Sequence, residues 1–449
     1  MLASPTKMIN VRQRPIFIAA ISLSLLVLTI YYLHRDIPVV PKIVIAPPQE
    51  EVPPKPVHPP LKNVTLSTNP PIVDNFPLAA AAHSAADLPS IPSWNQPPNP
   101  HVPEKTPLFI GFTRNWRVLQ QAVVSYITAG WPPEDIYVVE NTGVMDSNKN
   151  GQLSLQNPFF LNHTRLNMLG VNVLVTPTLF TFAQLQNFYL WTAIQEKYPA
   201  YFWSHMDVVA VSYEDHTEPT FSSLYKLALR ELRATADPST PRWALRFFAY
   251  DRLALVNTEA YRDVGGWDTF IPFYMGDCDM HSRLTMAGYS QEERKAGYVF
   301  DVGSSLEDLE VLYRKKGSIE PSFIDPNAEP ESESASSDIK EREITMERRA
   351  SSEEDDPMNS PMFRKLFVTW DAMQRSKNSA KRGRNHWQAR QTGGQGEPFY
   401  RHPEGFEQGI QMTIEHGRAV YREKWGHRDC NIVDIGLKAD EAWTVDHDW

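Results

Sequence analysis

Short apolar runs recur along the chain from Leu108 onward. LFIGF (108–112), IYVVEN (136–141) and VNVLVTP (171–177) are each bounded by polar or turn-forming residues and have the length of a buried strand. Between them the period changes. Residues 117–129 and 182–197 carry apolar side chains at the three- and four-residue spacing of a helix. AYFWSHMDVVAVS (200–212) reads as a fourth strand. Strands alternating with helices predict an α/β domain around a central, mainly parallel sheet. Ligands bind such sheets beyond the carboxyl ends of the strands. The polar residues that close the runs are therefore the first site candidates: Thr113, Arg114 and Asn115; Glu140 and Asn141; His205 and Asp207.

Four other stretches break this rhythm. Residues 16–33 form an uncharged apolar run, about 27 Å long as a helix and enough for a thin bilayer. Lys7, Arg12 and Arg14 precede it, so the start of the chain is expected in the cytosol and the remainder across the membrane. A cleaved signal peptide is the other reading. The run exceeds a typical signal core, and no small-x-small cleavage site follows it. Residues 36–107 hold 19 of the 37 prolines, which predicts an extended spacer. Residues 318–360 are rich in Ser and Glu and poor in large apolar side chains, which predicts a disordered insertion. The polar stretch 377–396 reads as a loop, with order returning near Phe399. The expected boundaries are a tail at 1–15, a span at 16–33, a stem at 34–106, and one catalytic domain at 107–317 and 361–449, interrupted by the insertion.

Charge adds little. The formal charge is −10, but residues 320–357 hold 13 acidic and 4 basic side chains and account for nearly all of it. With no basic face left, nucleic acid is not an expected partner. Two sequons, Asn63-Val64-Thr65 and Asn162-His163-Thr164, agree with a secretory route. The two cysteines, Cys278 and Cys430, exclude a zinc site of the usual spacing and a small disulfide scaffold.

Two segments carry chemistry. In the first, Asp207 lies within apolar sequence, where a carboxylate is costly without a partner. A divalent cation on a nucleotide diphosphate would serve, and so would a turn or a core arginine. In the second, residues 265–289, Asp277 and Asp279 precede a helix with Met280, Leu284 and Ala287 on one face. Arg283 stands four residues after Asp279 and can reach back to it. Asp279 then reads as the structural carboxylate and Asp277 as the one facing the cleft, placed to take a proton. Capping of the helix by both is the alternative.

These segments resemble the nucleotide-sugar glycosyltransferases of the GT-A class, a Rossmann-like fold, and especially the inverting family-two and beta-1,4-galactosyltransferase types. Gly266-Trp267-Asp268 is similar to their G-W-D element. Gly276-Asp277-Cys278-Asp279-Met280-His281-Ser282-Arg283-Leu284 is similar to their E-D-x-D-(L/I/M)-x-x-R-L, with Gly276 in place of the Glu. His205-Met206-Asp207 stands where that class has D-x-D. Tyr421-Arg422-Glu423-Lys424-Trp425-Gly426-His427 resembles a late Y-x-x-K-W-G element.

The resemblance implies a hexosyl transfer from a nucleoside-diphosphate sugar to a glycan hydroxyl with inversion, Asp277 being the base. It implies donor contacts at Thr113, Arg114, Asn115, Glu140, Asn141, Gln184 and Asn187. Trp267, Asp268 and Asp279 would lie on the acceptor side. A Mn2+ or Mg2+ ion would be held by Asp207, His205 and His427. The layout resembles single-pass type II proteins of the fungal Golgi membrane, with the catalytic domain lumenal. If the two motifs line one cleft, Cys278 and Cys430 come close, and a disulfide or two separate thiols both fit. An inactive partner subunit of the same fold is the other functional reading.

Overall fold

A computed structural model describes residues 14–33, 58–60, 71–97, 104, 106–216, 220–237, 239–327, 353–379, 385 and 392–449. The chain forms two units, Met1–Leu66 and Ser67–Trp449. In the first unit, helix α1 (Arg14–Leu33) covers the apolar run. Its described side chains, from Ser22 on, are exposed. Among the described residues no helix is long and apolar enough to cross a membrane. The side chains of residues 14–21, on which the expected span partly rests, lie outside the description, as do Asn63 and most of the tail.

The second unit is built on a seven-stranded sheet. Its strands are β1 (Leu108–Phe112), β2 (Ile136–Glu140), β3 (Asn172–Val175), β4 (Ala200–Ser204), β6 (Trp243–Phe248), β7 (Leu253–Asn257) and β8 (Ser290–Arg294). The order is β3-β2-β1-β4-β7-β6-β8, and only β7 runs against its neighbours. Two further strands, β5 (Val208–Val211) and β9 (Tyr298–Asp301), pair antiparallel beside it. The expected fourth strand is thus two strands broken at His205-Met206-Asp207. The chain winds outward from β1 to β3 and then returns to β4 on the other side of β1, so the carboxyl ends of β1 and β4 flank the switch point where ligands bind.

Alternation along the strands builds the layers. Leu108, Ile110, Phe112, Ala200 and Phe202 face one apolar cluster, together with α3 (Trp116–Thr128), α6 (Leu224–Ala234) and α9 (Pro361–Ser379). Phe109, Tyr201, Trp203, Ala254 and Val256 face the other, together with α5 (Phe182–Glu196), α7 (Thr258–Asp263) and α8 (Gly276–Met286). The remaining helices are α2 (Pro77–Ala81), α4 (His163–Met168) and α10 (Pro403–Trp425). The architecture is a mixed α/β fold around a mostly parallel, Rossmann-like sheet.

Two boundaries differ from expectation. The Pro-rich stem is not a spacer throughout. Phe76 and Asn75 are fully buried, Phe76 stacks on Tyr313, and Asn75 Nδ2 donates to the carbonyls of Arg117 and Leu306. Asp74 pairs with Arg165 at 3.1 Å, and Asn95 Nδ2 donates to the Thr128 carbonyl. Proline excludes regular ladders here, but one buried aromatic and a few side-chain donors suffice to anchor residues 71–97. The second difference is α9, which runs to Ser379 and so takes in the start of the expected loop. Residues 328–352 of the acidic insertion lie outside the description. Its flanks are tied down, with Arg314 held by Glu214 and Asp356, and Lys315 by Asp355.

Candidate functional site

β4 ends at Ser204, and the chain turns through His205, Met206 and Asp207 into β5. Val302 N donates to the Asp207 carbonyl, which brings the end of β9 alongside. Between the Asp207 and Asp301 carboxylates stands the ammonium of Lys377, 2.5 Å from an oxygen of each. His205 completes the group, with Nδ1 3.6 Å from Asp207 and Nε2 3.6 Å from Asp251. Burial opposes the charge on both Asp207 and His205. Lys377 and His205 nevertheless hold the Asp207 carboxyl well below the usual carboxylate range. The flanking carboxylates of Asp207 and Asp251 raise the His205 imidazole to about 9, so it is cationic at neutral pH.

Asp251 comes from the turn between β6 and β7. That turn places Ala249 and Tyr250 in the left-handed region (φ 67° and 57°), a conformation that non-glycine residues hold only under constraint. The Tyr250 ring stacks on Phe247, and its hydroxyl donates to Asp277 at 3.4 Å. Burial, then the charges of Asp277 and Asp251, push this phenol up to about 12, so it stays a donor. Asp277 sits in the first turn of α8, partly exposed. One turn later His281 packs edge-on against Phe247 and Trp267. Burial lowers its pKa, while the charges of Asp277 and Asp251 act the other way. A continuous polar row thus runs from Asp277 through Tyr250, Asp251, His205 and Asp207 to Lys377 and Asp301. It lies at the carboxyl ends of β4 and β6.

Behind this row α8 is fastened. Asp279 is fully buried and accepts from Arg283 (2.8 Å), from Lys424 (2.6 Å) and from Trp425 Nε1 (3.0 Å). Lys424 also holds Asp268 at 2.7 Å, so the late Tyr421–Gly426 element braces α8 from behind. Cys278 and Cys430 form a disulfide that ties the same helix to the C-terminal segment. Trp267 is buried, and its backbone N–H and C=O are both clasped by Asn187 at 2.8 Å. Gly266 suits that turn, since its φ of +72° lies in the left-handed region and a Cβ would also meet Asn187 Oδ1 at 2.7 Å. Gln184 is exposed and closes a capping box with Thr181 at the start of α5.

The ends of β1 and β2 are different. Arg114 is buried, pairs with Glu407 of α10 at 2.8 Å and lies 4.6 Å over the Phe406 ring. Asn115 caps α3 in the left-handed conformation. Glu140, fully buried, accepts from Asn148 (2.6 Å) and Thr142 (3.1 Å) and pairs with His163 at 2.6 Å. Asn141 spends its side chain on the Phe180 backbone. Thr113 is half-buried. Of the expected donor contacts, Thr113, Asn115 and Gln184 show no buried tertiary side-chain bond among the described residues. Asp279, expected on the acceptor side, is fully buried and enclosed by two cations and an indole.

The expected metal set does not assemble. Among the described residues no three His, Cys, Asp or Glu side chains are arranged to hold a metal ion. His427 is engaged by Asp448 and by Asn431 (2.8 Å). The donors at Asp207 do not fit a divalent cation, because a monovalent one built into the chain already lies against that carboxylate.

Lys377, Asp301, Asp251, Tyr250 and His281 were not singled out from sequence. A signal for Lys377 was present. Phe363, Leu366, Trp370, Met373 and Lys377 continue one 3-4-3-4 stripe, so the lysine takes a core position on an apolar face and needs a carboxylate partner.

No protein-family model matches the chain, and no curated protein does. Among solved structures, a mannosyltransferase from Pyrobaculum calidifontis in complex with GDP-mannose and Mn2+ is 13% identical, with a TM-score of 0.30 over 45% of this chain and 58% of that one. The chain therefore spans little more than half the length of that enzyme. A cytidylyltransferase from Leptospira borgpetersenii is 10% identical, with a TM-score of 0.29 over 42% of this chain and 76% of that one. Likenesses of this size decide nothing about chemistry.

Proposed function

We propose that the chain transfers a hexose from a nucleoside-diphosphate sugar to a glycan hydroxyl with inversion, with Asp277 as the base. The observation that carries this reading is the contrast on one helical turn. Asp279 is consumed by Arg283, Lys424 and Trp425, while Asp277 is left partly exposed at the carboxyl edge of the sheet, beside Tyr250. A carboxylate so held can accept the acceptor O–H proton as that oxygen bonds to the anomeric carbon. The anomeric C–O bond to the diphosphate breaks with its electron pair leaving on the nucleotide. The base contributes by position and proton affinity, and no covalent intermediate is required. The Cys278–Cys430 bond supports an oxidising compartment. A lumenal Golgi location behind a single-pass type II anchor rests on the apolar run and its basic flank.

A second reading is a non-catalytic lumenal binding subunit. It is favoured by Arg114, Glu140 and Asn141, which are spent inside the fold and leave few groups for a nucleotide. The two readings separate on a donor screen. The full-length chain is mixed with UDP- and GDP-sugars, and both binding and donor hydrolysis are followed. Turnover of one donor establishes the enzyme and names the sugar. Silence from folded protein across all donors selects the binding subunit.

A further inference from the structure

We infer that the Lys377 ammonium takes the place of a divalent cation at this site, so that the site neither requires nor binds Mn2+ or Mg2+. The Lys377 Nζ lies 2.5 Å from an oxygen of Asp207 and 2.5 Å from an oxygen of Asp301, and all three side chains are buried. A hard divalent ion would sit about 2.1 Å from the same oxygens, so ion and ammonium compete for one slot. Placing both there would set a dication against a fixed cation in a dry cluster, where repulsion is strong.

Lys377 is also firmly held in place. It lies one helical turn beyond Gln374, which accepts from Asp301 N at 2.9 Å and from Arg252 at 3.4 Å, so α9 docks on the site through two adjacent side chains. Trp370, on the same face of α9, packs against Phe300 of β9. His205 adds a second positive group on the other side of Asp207. The cluster therefore balances most of its own negative charge with groups of the chain itself. If the proposed glycosyl transfer is correct, on which this step alone rests, Lys377 and His205 supply the positive field near the departing diphosphate.

Mn2+ titration of the full-length chain, read by the electron paramagnetic resonance signal of the free ion, tests the inference without any assay of activity. The wild type is expected to leave that signal unchanged. One Mn2+ taken up by the wild type and lost in Asp207→Asn would overturn the inference, and this arm needs no folding of a lysine variant. Lys377→Met removes the ammonium and leaves Asp207 and Asp301 facing each other. This variant is expected to bind Mn2+ about tenfold or more tighter than the wild type. Lys377→Arg, which keeps the charge, should show no such gain. A folded Lys377→Met that gains no affinity for Mn2+ would also sink the idea. Failure of the glycosyl-transfer reading shows separately, as silence in the donor screen.

Discussion

The two ends of the sheet's carboxyl edge offer similar residues and use them differently. At β1 and β2 an arginine, a glutamate and two asparagines are paired within the fold. Arg114 is neutralised by Glu407, and Glu140 is enclosed by Asn148, Thr142 and His163. At β4, β6 and α8 the polar groups instead form a row with one end buried and the other, at Asp277 and Tyr250, open to solvent. Strand-end polarity marks where a site can be, but only the accounting of partners shows which groups remain available for a ligand. Asp277 and Asp279 repeat the contrast two residues apart.

The sharpest way to break that contrast is to neutralise each carboxylate in turn. Asp279→Asn leaves Arg283 and Lys424 without their buried counter-charge and is expected to cost about 3–5 kcal/mol in urea unfolding. Asp277→Asn should stay within about 0.5 kcal/mol of wild type, as a partly exposed side chain with one long hydrogen bond. Equal costs for the two would abolish the distinction. Next in size is the brace itself. Cys278→Ser opens a link across 152 residues and is expected to lose about 2–4 kcal/mol, visible as a lowered melting temperature that reductant reproduces in the wild type. Glu140→Gln should cost about 1–3 kcal/mol, because the change removes a charge from fully enclosed donors. A nucleotide-binding role for Glu140 would instead predict unchanged stability with weakened donor binding.

A pH dependence offers a further test. The folded His205 imidazole is raised to about 9 from an ordinary value near 6.5, so protonation favours the fold. Its contribution is complete below about pH 6.5 and is lost as pH rises through about 9. Asp207 acts in the opposite sense. Its carboxyl is depressed, so its contribution is present above the ordinary carboxylate range and lost as pH falls below it. His205→Gln should flatten the alkaline limb of the stability profile and weaken the acid limb without abolishing it, since Lys377 still holds the Asp207 carboxyl down. An unchanged alkaline limb would remove the imidazolium from the account.

Much of the frame was legible in the sequence. The strand at 108–112 has the bounds expected of it, and β2, β3, α3 and α5 agree with theirs to within about two residues. Each is either a continuous apolar run or a regular helical stripe. The tie between Arg283 and Asp279 followed from four-residue spacing. β6 to β9 were not foreseen. The turn from β6 to β7 uses left-handed Ala249 and Tyr250 rather than glycine, so the usual punctuation of a hairpin is missing. The anchoring of residues 71–97 was hidden because composition reports prolines and not the one buried Phe76. Lys377 lies 170 residues from Asp207, and local patterns cannot pair groups that far apart, even though the stripe on α9 marked the lysine as a core position.

Asp277 is the residue on which the functional reading stands, so the most direct measurement is sugar transfer by wild type and by Asp277→Asn, with the donor that the screen identifies. The account predicts an inverted product from the wild type. It predicts a loss of about 10²–10⁴-fold in rate for the variant, with donor binding and melting temperature unchanged. Transfer by Asp277→Asn at the wild-type rate would contradict it.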